Sequence, residues 1–469
     1  MGVFSSFANS VLTMTASGKH IIANAGIAIA GKIFGKAGFE RFDSLPTELA
    51  HPANVYQLSD CIKAEVASMC CGDPSFEGIY DIRSDADFYA QTLNMANGIP
   101  SAERTRQRLD QCVQTEESFR KFHNAAVLCN RDMIREEELT CWNGYLPVDM
   151  DVTPFDESKS HKGNISRTYH NFVGYAPNYM YCGQEGFMVA TEFRPGNQHC
   201  QKGTVAFIEQ SIETIRDIYP VGKVLFRMDS GNDSLDNYLA LMDKGMYFIC
   251  KRNLRSESVY DWLDHAKKYT LPENISNPRE GKTVYIGSTW IERSHRNASG
   301  NTRRITLRAV YEITERTMEP NGQLLMPPSV EVNMFTTNAD LTDAQVIEGY
   351  HDHATCEQFH AELKSDLDFE KVPSGKYLTN CVLNDLAMFA FNTLRCIGMR
   401  LYDLRKIPKR GSAFRRRIST VIHNIMHAPA IIATHAGYRK IDLGGANRWA
   451  EAIIYVFDYY SSSGCTRTA

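Results

Sequence analysis

Between Tyr350 and Lys364 the chain has helix composition, with no Pro or Gly. Tyr350, His353, Glu357 and Lys364 are spaced by three, four and seven residues, which puts them on one stripe of a helix. Cys356, Phe359, Leu363 and Leu367 make an apolar stripe on the other side. Such a helix buries one side and presents a glutamate among polar neighbours. Two more carboxylates invite comparison with it: Asp151 in a strand-like run, and Asp229 after a second such run. Three acids brought together from separate elements suit phosphodiester chemistry. That reaction uses two hard cations roughly 3.5–4 Å apart, one on each oxygen of an in-line displacement. Mg²⁺ takes oxygen ligands, typically a few carboxylates with water and substrate phosphate. Without a cation three such groups repel one another, so the set implies a metal site. Asp149 shares a strand face with Asp151 and is the reserve candidate. Taken singly, each acid has a plainer reading: Glu357 solvated, Asp229 or Asp233 capping the next helix, Asp151 opening a turn.

The elements that must position these groups follow from periodicity. Residues 1–140 read as mostly helical, with Ile21, Ile22, Ala25, Ile29 and Ile33 at helical spacing. Ser101 after Ile99-Pro100 reads as an N-cap, with Arg104, Arg106 and Arg108 behind it on a helix that could meet DNA. From Cys141 the texture changes. Leu146, Val148, Met150 and Val152 alternate with polar residues and Pro147, as a strand does. Gly174–Cys182 and Phe187–Arg194 read as strands joined by a hairpin-length turn. A helix around Val205–Ile215, a buried strand Val224–Met228, a helix Leu235–Lys244 and a strand Tyr247–Lys251 follow. This order predicts a mixed α/β sheet with Asp229 just past the carboxyl end of a parallel strand, where open sheets place their sites. Residues 256–338 read as a β-rich insertion carrying Trp290, Arg293, His295, Arg296, Arg303, Arg304 and Arg308. Thr342 then reads as the N-cap of the helix bearing Glu357, and Leu378–Leu401 as a long apolar helix.

With 469 residues the chain can bury a large core, and its charged and hydrophobic fractions are those of a soluble globular protein. A net charge of −4 argues against a general polyanion binder, but seven of the thirteen residues from Arg405 to Arg417 are Lys or Arg. The 13 cysteines are odd in number and contain no Cys-x-x-Cys pair, which points to reduced thiols in a cytosol-like compartment. The apolar run Ile21–Ala30 is too short to span a bilayer.

Together these residues make the chain similar to the DDE transposases of bacterial insertion sequences, in the branch whose ribonuclease H-like core is interrupted by a β-stranded insertion. That family's signature around its glutamate is Tyr-x2-Arg-x3-Glu-x6-Lys. Tyr350, Glu357 and Lys364 meet the spacing, while His353 stands where the arginine is expected. Asp151-Val152-Thr153 resembles the first-carboxylate motif and Arg227-Met228-Asp229 the second. Smaller echoes are Gly174-Tyr175-x-Pro177, Arg194-Pro195-Gly196-Asn197, Thr337-Asn338 and Ile99-Pro100-Ser101.

The resemblance implies cut-and-paste DNA transposition. Asp151, Asp229 and Glu357 would be the catalytic, metal-holding set, with two Mg²⁺ ions for which Mn²⁺ can substitute. It implies a helical DNA-binding region (1–140), a ribonuclease H-like core in two parts (141–255 and 339–402), the β-rich insertion (256–338) and a basic helical carboxyl-terminal region (403–469). Tyr350, His353 and Lys364 would meet DNA phosphate, and Trp290 a flipped base. Arg104, Arg303, Arg304, Arg415, Arg416 and Arg417 would add DNA contacts. The partners implied are double-stranded DNA (terminal inverted repeats and target) and a second copy of the chain on paired ends. The place implied is the bacterial cytoplasm, at the nucleoid. Another ribonuclease H-like nuclease, or a catalytically inactive transposase-derived DNA-binding protein, would share most of these features. The intact acids argue against the second and His353 argues for it.

Overall fold

The strand that organises the molecule is β1 (Tyr145–Val152), and its two faces go to different places. Leu146, Val148 and Met150 lie in the main hydrophobic core, whereas Tyr145 joins a smaller core on the opposite face. Both faces are therefore covered, and Asp149 is buried rather than solvated. The computed structural model describes residues 18–45, 56–296, 302–404, 414–435 and 438–462. Arg405 to Ala413, in the basic run, lie outside the described residues, as do the side chains of His295 and Arg296.

β1 is an interior strand, third from one edge, of a nine-stranded sheet. On one side it pairs antiparallel with β2 (Asn178–Cys182), which pairs antiparallel with β3 (Phe187–Glu192). On the other side it runs parallel to β4 (Lys223–Met228), which runs parallel to β5 (Tyr247–Lys251). Between β3 and β4 lies α1 (Thr204–Ile218), and between β4 and β5 lies α2 (Leu235–Asp243). Parallel neighbours need a crossover of this kind, and the amphipathic patterns of both helices supply it. The order strand, strand, strand, helix, strand, helix, strand is the one expected of a ribonuclease H-like core.

The sheet does not stop at β5. After α3 (Val259–Tyr269) come β6 (Ile275–Arg279), β7 (Lys282–Arg296), β8 (Thr302–Met318) and β9 (Leu324–Thr337). β9 returns to pair antiparallel with β5, from Phe335–Lys251 to Thr337–Ile249, and the full order is β6-β7-β8-β9-β5-β4-β1-β2-β3. The Thr337-Asn338 pair secures this junction. Thr337 Oγ1 donates to the Phe248 carbonyl at 2.7 Å, and Asn338 accepts from the Phe248 N–H at 2.9 Å while donating to the Met246 carbonyl at 3.0 Å. β8 alternates cleanly: Val310 faces the core under α4 (Asp343–His351), and Ala309, Tyr311 and Ile313 face α3.

The far edge of the sheet is closed by a side chain. A bulge at Val189 between β2 and β3 leaves the Met188 backbone turned toward α5 (Tyr377–Asp403), a 27-residue helix buried nearly throughout. Asn392 of α5 accepts from the Met188 N–H at 2.9 Å and donates to the Met188 carbonyl and to Asn130, both at 2.7 Å. It thus pairs with an edge strand as another strand would.

Four local readings change. Ile21–Ile22 pair as a strand with Ala430–Ile431, and the first helix runs only from Ile27 to Ala37. Val173–Tyr175 belongs to a small separate sheet, not to the strand Asn178–Cys182, because Pro177 interrupts the run. α3 is a helix inside the stretch read as β-rich. The carboxyl-terminal region is not helical throughout, since Ala430–His435 and Tyr438–Asp442 form an antiparallel pair before the helix Ala450–Ser462. Short strands made by distant partners leave no local period to detect. No described helix is long and apolar enough to cross a membrane.

Asn392→Leu should leave the Met188 N–H and the Asn130 Oδ1 unpaired in the core, while the Met188 carbonyl keeps its bond from Asn130 Nδ2 at 2.9 Å. At roughly 1–3 kcal/mol for each stranded group, urea unfolding should show a loss of about 3 kcal/mol. A loss below about 1 kcal/mol would mean that α5 does not hold this edge.

Candidate active site

Strand parity puts the acids together. Met150 and Met228 are partners in the parallel β1–β4 ladder, so Asp151 and Asp229 leave adjacent strand ends side by side. Both share the face of Tyr145 and Leu225, the face covered by α4. Asp229 opens a short turn, and its carboxylate accepts from Asn232 Nδ2 at 2.8 Å. Asp151 accepts from the Val152 N–H at 2.8 Å.

The segment carrying Glu357 is not one straight helix. Thr342 caps α4 as expected, forming a reciprocal capping box with Gln345. After His351 the chain tightens into a turn at Asp352–Ala354, continues as α6 (Thr355–Ala361), and widens into a π-turn at Glu362–Asp366. π-turns inside helices commonly mark functional positions. The apolar stripe is as expected: Cys356, Phe359, Leu363 and Leu367 are buried. Gly186, at φ +72° in the β2–β3 turn, packs so closely on the Phe359 ring that any Cβ there would meet it at 2.2 Å. The polar stripe does not survive. Glu357 is exposed, but His353 is only 7% exposed and Tyr350 is half-buried against Phe335.

Asp151 and Glu357 line one groove of about 470 Å³, with Thr153, Tyr169, His360 and Lys364. Burial raises the Asp151 carboxyl to about 7, and the neighbouring Asp229 and Asp149 add to the rise while His353 opposes it. A carboxyl that holds its proton because of burial and like charge is one that a cation would ionise. The oxygen donors Asp151, Asp229 and Glu357 fit a hard divalent ion. Lys364 bonds the Pro154 carbonyl at 2.9 Å and Glu370 at 2.8 Å, at the rim of the groove.

Beneath the acids lies a buried ionic network. Arg227 of β4 grips Asp149 of β1 through two bonds of 2.7 Å and donates to the Gly349 carbonyl at 3.2 Å. His353 Nδ1 lies 2.8 Å from the same Asp149. Burial would lift the Asp149 carboxyl, but Arg227 and His353 outweigh it and hold it below the ordinary value. Burial likewise pulls the His353 imidazole down, and the Asp149 bond and charge more than reverse this. Asp149 therefore serves the network, and His353 faces inward instead of toward a phosphate.

The family described as "Transposase DDE domain group 1" matches residues 4–459. This chain belongs to that family. No curated protein matches it in sequence. Among solved structures it is similar to a piggyBac transposase in a synaptic complex with hairpin DNA, at 9% identity and a TM-score of 0.44, covering 88% of this chain and 83% of that one.

The expected DNA contacts of this DDE family member divide by exposure. Arg104 is exposed on the helix Ala102–Cys112, whose N-cap is Ser101 as read. Trp290 is 70% exposed on β7, so it is not a core residue of the insertion. Arg304 is exposed 3.6 Å from Glu292, and Arg303 pairs bidentately with Asp243 at 2.7 and 2.9 Å. Arg415 is a correction: it is buried over the Phe359 ring, 3.6 Å from Glu362, and burial lowers its pKa to about 10. Arg416 is half-buried, and Arg417 pairs with Asp366 at 2.8 and 3.0 Å. Arg415 and Arg417 hold the π-turn from behind. His360, which sequence reasoning passed over, lies 3.7 Å from Asp151. Its four-residue spacing from Cys356 was the available signal.

Asp149→Ala should strand the Arg227 charge in the core and lower stability by about 3–5 kcal/mol in chemical denaturation. His353 adds a pH dependence. Its folded pKa is raised, so its stabilisation is complete below the unfolded value near ~6.5 and is lost as pH rises through the folded one. The stability difference between wild type and His353→Phe should therefore shrink on going from about pH 6 to about pH 9. A difference that is flat or grows with pH would contradict the protonated imidazole.

Proposed function

We propose that the protein cuts and joins DNA strands in cut-and-paste transposition, with Asp151, Asp229 and Glu357 holding two Mg²⁺ ions, or Mn²⁺ in their place. The observations that support this reading are that Asp151 and Asp229 leave adjacent parallel strand ends and that Asp151 and Glu357 line one groove. Bound cations would supply an activated water and neutralise the leaving oxygen. The side chains do the remaining work. Asp151 would give up its proton when a cation enters, and Lys364 would offer a point charge to phosphate at the groove rim, with the half-buried Tyr350, packed on Phe335, as a further hydroxyl donor. At His353, the departure from the Tyr-x2-Arg-x3-Glu-x6-Lys pattern, the side chain turns to Asp149 inside the fold, so phosphate recognition would fall to Lys364 and its neighbours.

The substrate would be the terminal inverted repeats of a bacterial insertion sequence and then target DNA, engaged by two copies of the chain on paired ends at the nucleoid. Residues 1–140 would add DNA contacts through Arg104, and the 256–338 insertion through Arg303, Arg304 and Trp290. Trp290 in particular offers an open aromatic face to an unstacked base.

Wild-type protein with Mg²⁺ should cleave DNA carrying the repeats that flank its gene. Asp229→Asn and Glu357→Gln should each lose more than the ~100-fold that removal of a mere supporting partner costs, with DNA binding retained. A wild type that binds these ends without cutting them, or an Asp229→Asn variant that cuts normally, would refute the assignment. Affinity should fall steeply with salt, and the double change Arg104→Glu with Arg304→Glu should flatten the slope of log K against log salt by about 2. Trp290→Ala should cost roughly 1–3 kcal/mol in the step that unstacks a base, read as a cleavage defect larger than any binding defect.

A further inference from the structure

Cys356 and His360 are four residues apart on α6, so they lie on one face, and that face is turned toward β1. One oxygen of Asp151, the Cys356 sulfur and one His360 nitrogen all lie within 4.8 Å of one another. The His360 ring spans the gap, with Nδ1 3.7 Å from Asp151 Oδ2 and Nε2 3.7 Å from Cys356 Sγ. Among the described residues this is the one group of three or more His, Cys, Asp or Glu side chains so arranged. We propose that Asp151, Cys356 and His360 form a second ligand set, sharing Asp151 with the first, for a thiophilic divalent cation of the Zn²⁺ class.

The donor chemistry separates this set from the three carboxylates. Sulfur and imidazole nitrogen suit Zn²⁺ and Co²⁺, whereas Mg²⁺ is held by oxygen. Around a tetrahedral Zn²⁺, bond lengths of about 2.0–2.3 Å put ligand atoms roughly 3.3–3.8 Å apart. Closing the spacing of up to 4.8 Å to that range would take side-chain movement of about an ångström. Access is through the groove, whose wall includes Asp151 and His360. Behind them the Tyr179 and Tyr181 rings lie 6.0 and 5.5 Å from His360, giving the set a mostly apolar backing. On binding, the Cys356 thiol loses its proton to solvent as the sulfur–metal bond forms, and no electron is transferred. Asp151 belongs to both sets, so a soft cation held by sulfur and nitrogen withdraws it from the hard one. The ligand set stands on geometry alone. Its consequence, that Zn²⁺ inhibits strand cleavage, rests on the transposase reading.

The test is a Co²⁺ titration of the full chain, followed by thiolate-to-metal charge-transfer absorption. One equivalent should produce the band in wild type and in Cys61→Ser, a distant buried cysteine. Cys356→Ser should abolish it, and His360→Ala should weaken binding at least tenfold. Asp151→Asn, which alters no packing volume, should also weaken binding at least tenfold and covers the case in which Cys356→Ser fails to fold. A band that never develops in folded wild type, or one that persists in folded Cys356→Ser, overturns the proposal. In the cleavage assay, Zn²⁺ at micromolar level should inhibit wild type at least tenfold more than Cys356→Ser. Equal inhibition of the two would overturn the competition for Asp151. A charge-transfer band in a protein that never cuts DNA would leave the ligand set standing and sink the transposase reading instead.

Discussion

Asp149, Arg227 and His353 come from three different elements, and each stands a short, fixed distance from one of the three acids. Asp149 is two residues before Asp151 on β1, Arg227 is two before Asp229 on β4, and His353 is one helical turn before Glu357. On a strand, a step of two returns to the same face, so Asp149 lies beneath Asp151 and Arg227 beneath Asp229; His353 reaches the same layer because the turn at Asp352–Ala354 swings it inward. On the two strands the network therefore repeats the spacing of the two aspartates, one layer deeper. Asp149 and Arg227 are direct partners in the parallel ladder, so register and ion pair specify each other. A one-residue slip of either strand would turn the charge to the wrong face and leave its partner buried and unpaired. Arg227 also reaches the Gly349 carbonyl near the end of α4, tying in the segment that leads to Glu357. Rigid second-layer support of this kind is what holds functional side chains to within a fraction of an ångström.

This layer explains which parts of the site were legible. Asp151 and Asp229 could be read because strand alternation and a strand end are local signals, and the capping of α4 by Thr342 was equally local. The four-member polar stripe was not a sound inference, because it assumed an unbroken helix. The turn at Asp352–Ala354 swings His353 inward, and the π-turn after Ala361 resets the phase before Lys364. Nothing in the spacing of Tyr350, His353, Glu357 and Lys364 announces either irregularity. Asp149 was noticed only as a spare carboxylate, since its partner Arg227 lies 78 residues away and pairs with it only once the parallel ladder exists.

Arginine was misread for the same reason. A run such as Arg415-Arg416-Arg417 looks like a surface for phosphate, yet charge density along a sequence says nothing about where each side chain turns. Arg415 and Arg395 both meet Glu362 in the π-turn, and Arg417 clamps Asp366 at its end. A widened turn leaves backbone groups that are poorly paired, and bulky cations packed on Phe359 and Phe391 fill the space beside it. The sheet beyond β5 shows the opposite case. β7, β8 and β9 are 15, 17 and 14 residues long, far longer than the core strands, and they carry Trp290 outward on an open face. Their strand character was readable. Their continuity with the core depends on three residue pairs between β9 and β5.

The charges in the two layers oppose one another in a way that prepares the site for a cation. In the lower layer Arg227 and His353 both face Asp149, which raises the His353 pKa, and His353 draws the Asp151 carboxyl down. Burial, joined by the repulsion of Asp229 and Asp149, pushes it up and prevails, reaching about 7. Near neutral pH Asp151 is thus poised between its two forms. Deeper burial would lock the proton in place and weaken any metal; full solvation would leave two adjacent strand ends charged and repelling. The fold settles between these limits by placing the lower layer close enough to keep the acids together and the groove open enough to let a cation displace the proton. The same half-burial brings Asp151 beside the sulfur and nitrogen of Cys356 and His360, so the choice between hard and soft cations is a consequence of how far the strand end is sunk.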